Sequence, residues 1–393
     1  MKRCTVLFLS LLLFIFNSCC QSPHKSDSIS VGAEQLERYL PLLEGKRIAI
    51  VANPTSSVYG THLVDTLHQL GVRIEKIFSP EHGFRGEAEA GAEVTNGKDR
   101  KTGIPVQSLY GKHKKPTRAM LQDLDLILFD LQDVGTRFYT YISTMSYLLD
   151  ACAEYGVKMV ILDRPNPNGY YVDGPILQEE YASFVGLHPV PIVHGMTMGE
   201  YAQMVVGERW LQSEKSPHLT IIPCRGYTHK TRYVLPIRPS PNLPDMNSIY
   251  LYPSLCLFEG TVVSIGRGTP TPFSHYGHPA FPETGYHFTP VSTPGASLHP
   301  KHEGKRCNGY QLLKRAQTLR DTGRIDLTPL IKAWEQIGDS SFFTPFFEKL
   351  TGNKELRLQI MQGMREEEIR ASWEKEQKVF CQKRAKYLLY EDY

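Results

Sequence analysis

A Rossmann-like, three-layer α/β fold with a parallel sheet is predicted for residues 44–239, followed by a smaller, mostly helical α+β domain over 240–393. Three observations predict it. Short apolar runs alternate with helix-periodic segments through the first part of the chain, the pattern of a parallel sheet covered on both faces. Proline and glycine stand at the ends of those runs, where strands and helices stop. Beyond residue 239 the alternation ceases, and from about residue 310 onward the pattern is mostly helical.

The elements follow in order. "KRIAIVAN" (46–53) is a β-branched apolar strand, and "THLVDTLHQLG" (61–71) a helix closed by Gly71. "VRIEKIFSP" (72–80) alternates and stops at Pro80; "IPVQSLYG" (104–111) is a further strand candidate. "PTRAMLQDL" (116–124) opens a helix with Pro116 in its first turn. "LDLILFDLQD" (124–133) is a buried strand, "YTYISTMSYLLDACAEYG" (139–156) an amphipathic helix, and "VKMVILDRP" (157–165) another strand. A helix over 196–211 and a strand over 219–226 complete the first domain. "LPIRPSPNLPDMNS" (235–248) breaks the rhythm with four prolines and marks a boundary or a cleft-lining loop. After it come a short helix–strand unit (252–269), a Pro/Gly/His-rich loop, and helices over 309–320 and 365–390.

The N-terminal stretch stands apart, with residues 1–19 read as a signal peptide. "MKRCTVLFLSLLLFIFNSCC" has two early basic residues and an apolar stretch too short to span a bilayer comfortably, as in the h-region of a secretory signal. Small Ser18 before Cys19 makes it resemble a bacterial lipoprotein signal, with Cys19 as the lipid acceptor and Cys20 as fallback. Residues 20–43 then form a tether and first helix. The expectation is an exported, periplasmic protein held to a membrane, the outer one in the first instance, by its lipid. The five remaining cysteines are odd in number and include no CxxC pair, so neither a disulfide framework nor a cysteine zinc site is indicated.

Several functions are excluded or weakened. A net charge of +3 over 393 residues, with no basic run interleaved with aromatics, gives no footprint for nucleic acid. No GxGxxG follows a strand, so no dinucleotide cofactor is expected; no GxxxxGK[ST], GxSxG or HExxH occurs, and no metal site is assigned. What remains is carboxylates, histidines, arginines and tyrosines, suited to acid–base work on a polar substrate.

Position says where. Ligands of open α/β sheets bind beyond the carboxyl ends of the strands, and the polar clusters occur there: Asn53 and Thr55 after the first strand, Glu81, His82 and Arg85 after the second, Asp130, Asp133, Arg137 and Tyr139 after the third clear one, Asp163, Arg164, Asn166 and Asn168 after the fourth. Glu81 stands at the first turn-out of its strand, between Pro80 and Gly83. The plain alternatives are a Glu81–Arg85 loop pair, a His82 that only braces the turn, and Asp130 and Asp133 anchoring the next helix.

"VANPTS", "SPEHGFRG", "LILFDLQDVGTRFYTYISTM", "LDRPNPNG", "DGP", "FVGLHPVPIVHGMTMGE", "PSPNLP" and "YPSLCLFEGT" together resemble the exo-acting β-N-acetylmuramidases of peptidoglycan recycling, a family formerly known as a domain of unknown function. The resemblance runs over residues 46–267 in order, and more weakly to the C-terminus. It implies a Rossmann-like N-terminal domain, a cleft against a smaller C-terminal one, and release of terminal N-acetylmuramic acid from non-reducing ends. It places the essential glutamate at Glu81, expected as general acid. Asp130, Asp133, Asp173 or Glu259 is then the partner that orients the substrate amide, in a route where the sugar supplies its own nucleophile. Arg137, or else Arg85, is expected to clamp the lactyl carboxylate. Asn53, His82, Tyr139, Asp163, Asn166, His194, Asn242 and Arg267 complete the expected substrate-binding set, His194 doubling as a buried structural histidine. Two other classes stay open: a metal-dependent hydrolase of another polar substrate, and a non-catalytic peptidoglycan-binding lipoprotein.

Overall fold

Alternation within β1 (Ile48–Ala52) sets the layering: Ile48, Ile50 and Ala52 turn to one apolar cluster, Ala49 and Val51 to the other, and all five are buried. The computed structural model describes residues 29–85, 96–111 and 113–393. The leader with Cys19, and residues 20–28 of the tether, lie outside the described residues. From Ser30 the chain already belongs to the domain: Ser30 bridges to Arg225, and Gly32 N donates to Asp163 O at 2.8 Å.

Helix α1 (Leu36–Leu43) precedes β1, and a small hairpin, β2 (Ser57–Val58) with β3 (Thr61–His62), leads into α2 (Leu63–Gln69). Then follow β4 (Ile74–Ser79), β5 (Gly97–Lys98), β6 (Pro105–Ser108), the one-turn α3 (Arg118–Leu121) and β7 (Leu126–Asp130). Helix α4 (Tyr141–Tyr155), β8 (Lys158–Leu162), α5 (Met198–Gly207) and β9 (Leu219–Ile222) close the domain. The sheet order is β5–β6–β4–β1–β7–β8–β9. Every neighbouring pair is parallel except β5 on β6. Helices α1 and α2 pack on one face, α4 and α5 on the other. The chain leaves β1 toward β4 and β6 and returns beside β1 at β7, so the loops after β1 and β7 part at a topological switch point, where a crevice opens, with the β4 loop beside it.

The C-terminal part begins with α6 (Met246–Leu255) and a 3₁₀ turn, Cys256–Gly260. A three-stranded antiparallel sheet sets β12 (Cys307–Gln311) between β10 (His275–His278) and β11 (His287–Phe288). Helices α7 (Leu313–Thr322), α8 (Thr328–Ile337), α9 (Phe346–Thr351), α10 (Glu355–Met361) and α11 (Glu366–Arg384) follow. Two sequence expectations shift here. Residues 261–266 are extended chain held by isolated bridges, Thr261 to Phe343 and Ser264 to Gly277, and not a ladder strand. Residues 309–311 pair within β12, and the helix starts only at Leu313.

One hydrophobic cluster joins the two parts: Phe138 and Tyr139 before α4 pack with Leu243, Leu255 and Phe258. Beyond α11 the chain returns to the first domain. Leu389 N donates to Glu200 Oε1 at 2.9 Å, and Tyr390 Oη to Asp163 Oδ2 at 2.6 Å.

Candidate active site

The turn after β4 carries Glu81 into the crevice. His82 has φ 72° and Gly83 φ 81°; for a histidine the left-handed region is strained by on the order of 1–3 kcal/mol, which a site residue bears only where its surroundings hold it. They do: His82 Nε2 shares a 3.2 Å hydrogen bond with Ser240 Oγ, from the proline-rich loop. Thr140 Oγ1, just before α4, donates to Glu81 Oε2 at 2.8 Å, and Tyr110, beyond β6, hydrogen-bonds the same side chain. Tyr141 Oη donates to Glu81 O at 3.4 Å and accepts from Asn53 Nδ2 at 2.8 Å. Burial first, and the Glu81 carboxylate second, push the Tyr110 and Tyr141 phenols up, so both stay protonated donors.

Glu81 faces a cavity of about 380 Å³ at the seam of the two parts, the small end of the range for small-molecule sites. Of the residues expected from sequence, Glu81, His82, Tyr139, Asn242, Glu259 and Arg267 line it together. Tyr139 Oη is tied to Pro239 O at 2.7 Å, which fixes the ring as wall. Asn242 Nδ2 donates to Ala296 O at 2.9 Å, while its buried Oδ1 has no partner among the described residues. Arg267 forks onto Glu259, Nε to Oε1 at 2.7 Å and Nη2 to Oε2 at 3.0 Å. Burial raises the Glu259 carboxyl, but Arg267 more than offsets it and holds it below its ordinary value. Sequence reasoning missed Tyr110, Thr140, Phe184, Ser240, Tyr252, Phe273 and Phe346. The strand-end rule reaches Tyr110 beyond β6; the phenylalanines lie in loops and at a helix start with no signal.

Other expected residues sit elsewhere, and these are corrections. Asp130 is fully buried in a bidentate pair with Arg164, at 2.6 and 2.9 Å. Asp133 is sealed behind the crevice, accepting from Gly135 N at 2.6 Å, with His194 Nε2 3.8 Å away; burial raises it to about 7. Neither lines the cavity that Glu81 faces. Arg137 is fully buried and donates to the carbonyls of Pro175, Val190 and Leu350, so it cannot reach a substrate carboxylate. Arg85 is held by Asp65 and Asp99 at 3.0 and 2.8 Å; with Asn53 and His82 it borders a smaller side cleft of about 150 Å³.

Asp163 caps the start of α5 through Thr197 Oγ1 and Gly199 N. Asn166 bonds Met196 O, and Asp173 takes Ile325 N and Arg370. His194 accepts from Met196 N, and burial lowers it to about 3. The reason is common to all: beyond β8 and β9 the sheet edge is covered by residues 188–197 and by the returning chain, so polar groups there brace loops. In the Pro/Gly/His-rich stretch His275 packs on Phe288 and His278 on His302, and neither lines the cavity.

A roomier groove of about 650 Å³ lies between α7 and α8, but its one carboxylate, Asp326, is taken by Arg315 and no strand end of the parallel sheet reaches it. Among the described residues no three or more His, Cys, Asp or Glu side chains are grouped to hold a metal ion.

Fold and site define a class: a two-part α/β protein with one turn-borne glutamate in a small aromatic cleft at the seam. Within that class, the chain belongs to the exo-β-N-acetylmuramidase NamZ family, whose N-terminal profile matches residues 48–247 and C-terminal profile residues 250–390. The peptidoglycan β-N-acetylmuramidase NamZ of Bacillus subtilis (strain 168) is 40% identical over 389 residues, covering 93% of this chain and 92% of that one. The crystal structure of a DUF1343 family protein from Bacteroides fragilis NCTC 9343 is similar at a TM-score of 0.86 and 49% identity, over 93% of this chain and 100% of that one. A second such protein from the same strain gives 0.76 and 29%, over 92% and 99%.

Proposed function

We infer that this chain is an exo-acting glycosidase that releases terminal N-acetylmuramic acid from the non-reducing ends of peptidoglycan chains or fragments, in cell-wall turnover and recycling. The observation that carries the reading is Glu81: within a family of exo-β-N-acetylmuramidases, it is a carboxylate brought into the seam cavity by the turn after β4, with the Thr140 hydroxyl donating to it. A cavity of about 380 Å³ takes one substituted sugar in preference to a run of them, which fits exo action.

In this reading Glu81 protonates the departing glycosidic oxygen, with Thr140 and Tyr110 fixing its orientation. The other lining carboxylate, Glu259, is engaged by Arg267. That supports a route in which the sugar's own 2-acetamido oxygen attacks the anomeric carbon, a recognised variant of glycoside hydrolysis. In this reading Asn242 accepts the acetamido N–H through Oδ1 and turns the acetamido oxygen toward that carbon; its position on the cavity wall with Oδ1 unpartnered among the described residues supports this. The test is turnover of a chromogenic β-glycoside of N-acetylmuramic acid beside its N-acetylglucosamine analogue. Absence of turnover of the first by the purified, folded protein would sink the reading.

We also propose export and a lipid anchor at Cys19, with the cleft facing a periplasmic, peptidoglycan-derived saccharide. The leader's short apolar stretch and Ser18-Cys19 support this.

A further inference from the structure

We propose that Arg267 selects the substrate by receiving the carboxylate of the 3-O-lactyl arm that distinguishes N-acetylmuramic acid from N-acetylglucosamine. The proposal rests on the reading of the Glu81 cleft given above. It replaces both arginines that strand-end position favours, since Arg137 is sealed among backbone carbonyls and Arg85 is doubly paired with Asp65 and Asp99.

Arg267 is the one arginine or lysine among the described residues that line the cavity. Its side chain is 24% exposed. Two of its five N–H groups are spent on Glu259, through Nε and Nη2. The Nη1 pair and one Nη2 hydrogen remain, and a planar fork held at one edge is prepared to take a second carboxylate at the other.

The local charge favours an anion. Lys301 Nζ is fastened to the carbonyls of Phe258 and Glu259, each at 3.0 Å, and to Thr261 O. Lys301 is thus held by backbone carbonyls as a second cation close to the Arg267–Glu259 pair, behind the cavity wall.

The loop is also built to hold the fork still. The guanidinium lies over the Phe273 ring at 5.2 Å, and Phe273 itself is buried in the left-handed region at φ 57°. Gly266, one residue before Arg267, has φ +77°, and a Cβ there would lie 2.1 Å from His275 Nε2. Strain of this kind persists where the surrounding structure holds it for a purpose.

The test compares two chromogenic β-glycosides: that of N-acetylmuramic acid, and that of its analogue with the lactyl carboxyl converted to a neutral carboxamide. Arg267→Met should lower kcat/KM on the carboxylate substrate by about 10- to 100-fold and leave the carboxamide within about threefold, as expected for loss of a charged hydrogen bond. Glu259→Gln keeps the guanidinium and removes its competing anion, so its preference for carboxylate over carboxamide should hold or increase; this variant also decides the matter if Arg267→Met does not fold. Equal losses on both substrates, an unchanged preference in Arg267→Met, or a lost preference in Glu259→Gln would overturn the assignment. If the wild type turns over neither glycoside, the muramidase reading falls and the arginine assignment with it. Turnover by the wild type with no discrimination removes the arginine assignment alone.

Discussion

Glu81→Gln is the perturbation that bears most directly on the chemistry. The replacement keeps the shape of the side chain, and the Thr140 hydroxyl that donates at 2.8 Å to Glu81 Oε2 can donate equally to the amide oxygen. Tyr139, fixed to Pro239 O, and the His82–Ser240 contact hold the cavity wall independently of position 81. Position and packing thus survive, and in the proposed mechanism what is lost is a proton for the leaving oxygen. A positioned general acid contributes about 10²–10⁴-fold, equivalent to roughly 2.7–5.5 kcal/mol at about 1.36 kcal/mol per tenfold. Turnover of natural peptidoglycan fragments should fall by that factor. A nitrophenyl glycoside, whose leaving group departs without protonation, should lose much less. Sugar release from fragments is followed by chromatography and nitrophenolate release by absorbance, on protein whose thermal unfolding matches wild type. Equal losses on the two substrates would reassign Glu81 to an orienting or nucleophilic role. Near-wild-type rates on both would remove it from the site.

Three further outcomes are expected. Asp130→Asn leaves the buried Arg164 charge without its counterion, so urea unfolding should show a loss of about 3–5 kcal/mol; a change under about 1 kcal/mol would mean the pair is not structural. Asp133 is raised from 3.8 to about 7 by burial, so between those values the unfolded chain releases a proton that the folded chain keeps, and stability falls as pH rises through that window. Asp133→Asn should therefore gain on wild type by up to about 1.4 kcal/mol per pH unit across it, and a flat difference would mean that the buried carboxyl is ionised. Finally, the double replacement Cys19→Ala with Cys20→Ala should move the protein from the membrane to the soluble fraction; continued membrane association would dispose of the lipid anchor.

Much of the fold was legible because the strands are buried on both faces. Runs such as "LDLILFD" leave little choice, and the proline or glycine after each gives the edge. Position along that edge found Glu81 and His82. It could not say which half of the edge the rest of the chain would cover. That coverage is a tertiary fact: Asp163 takes a hydroxyl from Tyr390, and Arg137 takes a carbonyl from Leu350, each far away in sequence. The same limit hid Thr140, which meets Glu81 within the first domain, and Ser240, which meets His82 across the seam. Around 261–266, β-branched residues suggested a strand, but buried packing of Val263 and Ile265 satisfies that composition without a ladder.

The return of the chain onto the first domain has a consequence for biogenesis. Asp163 and Glu200 are fully buried carboxylates, and each takes one of its hydrogen bonds from residues 389–390. While those residues are still being synthesised, the α5 edge of the first domain has two buried acceptors short of a donor, and a cavity wall made by α6 and the 3₁₀ turn is also missing. Domains ordinarily fold in turn as they emerge from the ribosome. Here the first domain completes these hydrogen bonds only after residues 389–390 have been made, so the last step of its packing waits for the second domain, although Asp163 keeps Thr197 and Gly199 and Glu200 keeps Thr197 as partners meanwhile.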